Sequence, residues 1–177
     1  AYPLRAAAKQ ADNYWVEAKG VVRSVTNNFM NVMALDGLVS VWVGGLGTSN
    51  ELARYVDCLV TVRGVFTLQV ALEPMLLVPS SQFIEVTEYP PENPFLVPSH
   101  GINKVCASDL SPSRLHRTKV TGVVTYRDEN TLVLQDQTGG ARVFGSPTSD
   151  IQIGDRVEAV GFPELVGRAV TLHESVL

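Results

Sequence analysis

The amino-acid sequence predicts a mainly β protein made of two consecutive five-stranded barrels, with short helices confined to a lead-in and a linker. Three observations predict it. An imperfect internal repeat places two copies about 100 residues apart. The apolar residues of each copy fall in short β-branched runs bounded by Asn, Asp, Gly and Pro, which is the strand signature. Glycines recur at matching places inside those runs.

The repeat is read from two pairs of segments. Val16-Glu-Ala-Lys-Gly-Val-Val-Arg-Ser-Val returns as Thr118-Lys-Val-Thr-Gly-Val-Val-Thr-Tyr-Arg. Val56-Asp-Cys-Leu-Val-Thr-Val-Arg-Gly-Val-Phe returns as Gly154-Asp-Arg-Val-Glu-Ala-Val-Gly-Phe, with one residue extra in the first copy. The first copy should hold strands near 14–26, 29–35, 38–44, 56–66 and 75–86, and the second near 116–127, 131–136, 140–145, 155–162 and 168–176. Asn27-Asn28, Asp36-Gly37, Asp128-Glu129-Asn130 and Thr138-Gly139-Gly140 supply turn residues between them.

Gly20, Gly64, Gly122 and Gly161 lie inside predicted strands, where glycine ordinarily weakens a sheet, so they mark bends or bulges where the sheet curls closed. A long curled first strand, five short strands and a break between the third and fourth that can hold a helix together describe the OB-type barrel. In the first copy Thr48-Ser-Asn-Glu-Leu-Ala-Arg-Tyr fits that helix; the second copy has only Pro147 to Ile153 there, so its helix is shortened or absent. The expected organisation is a lead-in helix at 1–13, a first barrel at 14–87, a Pro-rich linker at 88–115 with a short helix across Gly101 to Leu110, and a second barrel at 116–177.

Hydrophobic residues make up 45% of the chain and charged residues 18%, a composition that folds. The net charge of −4 argues against a generic nucleic-acid binder, because affinity for phosphates comes largely from Lys and Arg displacing counterions. Trp15 to Thr87 is itself acidic, with Lys19, Arg23, Arg54 and Arg63 against Glu17, Asp36, Glu51, Asp57, Glu73 and Glu85. No apolar run is long enough to span a bilayer as a helix, and the start carries neither an initiator Met nor a signal-peptide core, as expected of an excised piece. Cys58 and Cys106 are too few and too far apart for a zinc site or a disulfide scaffold; they read as ordinary thiols, with a single bridge as the alternative in an exported protein.

Gly122-Val-Val-Thr-Tyr-Arg, Leu132-Val-Leu-Gln-Asp-Gln-Thr-Gly-Gly and Gly154-Asp-Arg-Val-Glu-Ala-Val-Gly-Phe-Pro, with Trp15-Val-Glu-Ala-Lys-Gly-Val-Val-Arg-Ser-Val and Leu77-Val-Pro-Ser, resemble the tandem OB-like segments in the sensory regions of bacterial sensor histidine kinases. The resemblance runs from about Asn13 to the end. It implies a signal-input module of a two-component system on the extracytoplasmic, periplasmic side of a bacterial membrane, ahead of a membrane helix and a kinase core. The parent would be membrane-anchored, with a homodimer among its assemblies, and the partner an unspecified small molecule or protein. Relatives tend to carry a polar, basic loop between the fourth and fifth strands of the first copy. Here that loop is Phe66-Thr-Leu-Gln-Val-Ala-Leu-Glu-Pro, which argues against an anionic ligand there.

Catalytic chemistry is not expected. His100, His116 and His173 are scattered and read as surface or structural, and no nucleophile elbow, phosphate loop or His-Glu-x-x-His occurs. Thr138-Gly-Gly-Ala-Arg lacks the lysine and helix of a phosphate cradle and reads as a hairpin turn; Asp128, Glu129, Asp155 and Glu158 fall short of a calcium shell. No metal and no cofactor is expected. OB barrels bind through the second and third strands and flanking loops. That surface would present Asn28, Phe29, Asn31 and Trp42 on the first barrel, and Tyr126, Arg127, Asn130, Gln135 and Arg142 on the second. Aromatic and basic side chains together suit a single-stranded nucleotide or an anionic sugar. The competing reading makes Phe29 and Trp42 core residues, and the alternation along Val39-Ser-Val-Trp-Val does not assign Trp42 to a face. The functional expectation is a non-catalytic sensory or partner-binding module; the alternatives are a single-stranded nucleic-acid-binding tandem OB protein, disfavoured by charge, and a structural spacer.

Overall fold

β1 (Trp15–Thr26) is twelve residues long, enough to serve two neighbours in succession. Its residues 15–21 pair antiparallel with β4 (Leu59–Leu68), and residues 21–26 pair with β2 (Phe29–Ala34). Gly20 stands at the hand-over and Gly64 faces β5 (Pro74–Val78); a Cβ on Gly64 would lie 2.5 Å from the Leu77 carbonyl oxygen. The matched glycines are thus places where two backbones come too close for a side chain. β3 (Gly37–Val43) pairs antiparallel with β2 and parallel with β5, and β5 pairs with β4, so the order β1-β2-β3-β5-β4 closes on itself through β1 and β4. This is the OB topology, described in a computed structural model over residues 13–35, 37–45, 51–68, 74–105, 115–145 and 150–177.

The second copy repeats it. β7 (Thr118–Arg127) is shared between β10 (Arg156–Val166) and β8 (Thr131–Gln135); β9 (Gly140–Gly145) pairs antiparallel with β8 and parallel with β11 (Ala169–Val176), and β10–β11 completes a closed barrel. The chain divides into two compact units, Ala1–Pro90 and Pro91–Leu177.

Each barrel has its own core of inward side chains. Val22, Met30, Val41, Val60, Phe66 and Leu76 fill the first, and Val120, Leu132, Leu134, Ala159 and Leu172 the second. Burying one such side chain fully stabilises by about 1.5–3 kcal/mol. The first core also takes Leu52 and Tyr55 from the β3–β4 connection, which makes a 3-10 turn at Ala53–Tyr55 rather than the expected helix across 48–55; residues 46–50 lie outside the described residues. The second core takes Ile102 and Val105 from the linker, where a single helical turn, Ile102–Val105, is all that is described of the expected helix over 101–110. The expected lead-in helix at 1–13 falls almost wholly outside the described residues.

Three sequence expectations are corrected. The fifth strand of the first copy is not continuous over 75–86: Pro79-Ser80 and a 3-10 turn at Ser81–Phe83 divide it into β5 and β6 (Ile84–Glu88), and β6 pairs with the opposite half of β4. β10 does not stop at Phe162 before Pro163 but continues to Val166. Proline is tolerated there because β7 pairs with β10 only as far as Gly161, so the β7 ladder asks no N–H of residue 163. Finally, the repeat aligned Asp57 with Asp155, whereas hydrogen bonding aligns Asp57 with Gly154. The Asp57 N–H donates to Val22 O (2.8 Å) and the Gly154 N–H to Val124 O (2.9 Å), and both residues are left-handed, with φ of 66° and 100°.

Candidate binding faces

The outward side chains of β2 and β3 form three rungs, since residues two apart share a face. The register pairs Phe29 with Trp42, Asn31 with Ser40, and Met33 with Leu38. Val39, Val41 and Val43 point inward and are buried, which places Trp42 outside: it is 37% exposed and Phe29 opposite it 42%. The middle rung is polar and internally satisfied. Asn31 Nδ2 donates to Ser24 Oγ (3.0 Å) and Asn31 Oδ1 accepts from Ser40 Oγ (3.2 Å). Asn28, in the turn before β2, accepts the Val43 N–H through its carbonyl (2.9 Å) and ties that turn to the end of β3. None of the six rung residues carries a charge.

The same three rungs in the second barrel hold Thr131 with Phe144, Val133 with Arg142, and Gln135 with Gly140. Phe144 stacks on His173 (centroids 5.5 Å apart, planes at 13°) and is half-buried, so it does not match Trp42. Arg142 and Gln135 are exposed, and Tyr126, 52% exposed, stands beside Val133 on β7 past a bulge. Arg127 is turned away: its guanidinium donates to the Ile151 carbonyl in the β9–β10 connection. Asn130 sits exposed in the β7–β8 turn, with its carbonyl accepting the Gly145 N–H (3.4 Å).

Three features were not anticipated. Trp15, at the start of β1, is exposed and meets Phe83 edge-on (centroids 5.2 Å apart, 78°). Glu17, Arg63 and Glu85 form an exposed ion triad across β1, β4 and β6, Arg63 Nε to Glu17 Oε2 at 2.8 Å and Arg63 Nη2 to Glu85 Oε2 at 3.3 Å. The second barrel carries a cleft of about 680 Å³ between linker residues Ser99–Gly101 and the outer face of β7 and β8. The cleft depends on how the linker packs, so no local pattern announced it.

Asp136 organises that packing. Its Oδ2 accepts the Ile102 N–H (3.0 Å), and its Oδ1 accepts the N–H groups of Thr138 (2.6 Å) and Gly139 (2.9 Å) and the Thr138 hydroxyl (2.7 Å). Burial pushes its carboxyl up, but these donors outweigh it and hold the group below its ordinary value. In the first barrel Cys58 is a free, buried thiol, raised by desolvation and then by neighbouring Asp57, as an inert core thiol should be. Among the described residues no group of three His, Cys, Asp or Glu side chains is placed to hold a metal ion.

No protein-family model and no curated protein matches the chain. Solved structures do match, at low identity. They include the p204 HINb domain (11% identity, 91% of this chain and 97% of that chain, TM-score 0.32) and a murine DNA-binding protein bound with double-stranded DNA (13%, 89% and 92%, TM-score 0.31). The Ifi202 HINa domain in complex with a 20-bp double-stranded DNA matches similarly (12%, 93% and 95%, TM-score 0.31). None of these three is a sensor histidine kinase region, and two are structures with double-stranded DNA; the expectations of a two-component sensor, a periplasmic location and a partner other than nucleic acid are corrected to a fold-level likeness with no sensor assignment. The periplasmic placement rested on that resemblance alone; among the described residues no helix is long and apolar enough to cross a membrane.

Proposed function

We propose that the protein is a non-catalytic single-stranded nucleic-acid-binding module whose first barrel holds bases by stacking. The observation that supports this reading is the exposed Phe29–Trp42 pair on the β2–β3 face, where OB barrels take oligonucleotides. Core demand does not explain the pair, since Met30, Val32, Val41 and Val43 already fill the inner face of the same strands. Phe29 and Trp42 stand directly opposite each other on one rung, so together they offer a base one continuous aromatic surface. Stacking contributes about 1–3 kcal/mol per base and is indifferent to sequence. With no charge on the rungs and −4 on the chain, affinity should rest on stacking more than on counterion release, and its salt dependence should be shallow.

The test is a fluorescence titration of a Trp15→Phe variant, in which Trp42 is the remaining tryptophan, with a short oligothymidine at low salt. Saturable quenching that Phe29→Ala weakens about tenfold supports the reading. Equal affinity for the matching duplex, or binding unaltered by Phe29→Ala, overturns it.

A further inference from the structure

The cleft of the second barrel goes beyond that reading and rests on different residues. Its floor is Val123, 38% exposed on β7, flanked across the strands by Arg156 on β10 and Gln135 on β8, a continuous row in the register. The linker supplies one wall through Ser99 and His100, and Gln137 and Thr138 of the β8–β9 turn supply another.

The wall is held rather than incidental. Ser99 bridges Lys119 in parallel, the His100 N–H donates to Lys119 O (2.9 Å), and Lys119 Nζ donates to Phe95 O (2.8 Å). Asp136 pins the following turn from the other side through Ile102.

The charges decide what the cleft can hold. Asp136 lines it, yet both its oxygens already accept hydrogen bonds, and nearby Glu158 faces Lys119 at 3.6 Å. Arg156 has no ion-pair partner among the described residues, so the cleft presents one guanidinium with its hydrogen-bonding capacity open. Hydroxyl and amide groups around it both donate and accept, as the hydroxyls of a sugar require, and Val123 offers an apolar floor for the C–H face of a ring. A cleft of about 680 Å³ lies within the range of small-molecule sites.

We infer that this cleft binds a phosphorylated sugar, with the phosphate on Arg156 and the ring over Val123 between Gln135 and the linker wall. A free sugar phosphate and the 5′-phosphorylated end of a nucleic-acid strand present the same chemistry.

Ribose 5-phosphate, titrated into the full chain and followed by amide chemical shifts, tests it. Saturable changes at Val123, Gln135 and Arg156 that weaken about tenfold or more in Arg156→Gln support the inference. Unaltered spectra, equal affinity for ribose or for inorganic phosphate, or an affinity indifferent to Arg156→Gln each overturn it. Because the site is a surface cleft, a second variant, Gln135→Ala, separates lost contacts from a lost fold: its spectrum away from the cleft should be unchanged while binding weakens. Once binding is seen, displacement by a 5′-phosphorylated oligonucleotide but not by its 5′-hydroxyl form supports a strand end as the source, and no displacement by either supports a free sugar phosphate. Trp42→Ala should not move this affinity, so failure of the stacking reading and failure of this one are told apart.

Discussion

The two barrels share a strand order and differ in how each is stopped up. In the first, the segment between β3 and β4 lays Leu52 and Tyr55 into the core, at the end where the third strand finishes. In the second, Ile102 and Val105 enter from the linker, against the β8–β9 turn where the third strand begins. Among the described residues, the fully buried plug of each barrel thus comes from a different segment and enters at a different end of the third strand. One plug belongs to the barrel's own connection and the other precedes the barrel in the chain. The closed sheet sets only the requirement that an open end be covered by apolar side chains; which segment covers it is a separate choice. The same division appears on the outer faces, where one topology carries an uncharged face with an aromatic rung in one copy and Arg142 with Gln135 in the other.

The sharpest way to break the comparison is to remove each plug. Ile102→Ala should destabilise the second unit by roughly 2–4 kcal/mol and leave amide exchange of the first unchanged, and Leu52→Ala should do the reverse. If either variant loosens both units alike, the plugs are not local. Next in size is the clamp on the second plug. Asp136→Ala should cost roughly 1–2 kcal/mol, because the Ile102, Thr138 and Gly139 N–H groups lose their acceptor together. Its pH dependence follows from the depressed carboxyl. The contribution is complete above the unfolded value of about 3.9 and disappears as pH falls through the lower folded value, so acid should release the second plug while Asp136→Asn flattens that dependence. Hydrogen exchange of Ile102 across pH 2 to 6, on the order of that window, measures it.

A smaller effect tests the shifted repeat. Gly154→Ala puts a side chain at φ 100° and should lower the second unit's stability by about 1 kcal/mol, although open space surrounds the position. The smallest concerns the surface triad: Arg63→Met should leave the melting temperature within experimental scatter, since Glu17, Arg63 and Glu85 are solvent-exposed.

Much of the architecture was legible because it is written in local chemistry. Gly20 and Gly122 fall at the same point of the same curled strand, and the β-branched runs around them have room only for strands. The offset at Asp57 was not legible. Aspartate tolerates the left-handed conformation well enough to stand where Gly154 does, so matching Asp with Asp misplaced the register by one. Trp42 was ambiguous because Leu38 and Trp42 alternate with Val39, Val41 and Val43, and an apolar outer face looks like an inner one until pairing is known. The cleft was beyond reach for another reason: Ser99, Val123, Gln135 and Arg156 meet only after the linker docks.

The position of Ile102 also bears on synthesis. Made from the N-terminus, the first barrel emerges with its stopper between its own third and fourth strands, and can complete itself as those strands appear. The second barrel's stopper leaves the ribosome before any of its strands and must wait for β11, some 70 residues later, to find the cavity it fills. Until then Ile102 and Val105 lack the cavity that buries them in the folded unit, so a chain stopped before β11 should leave both exposed.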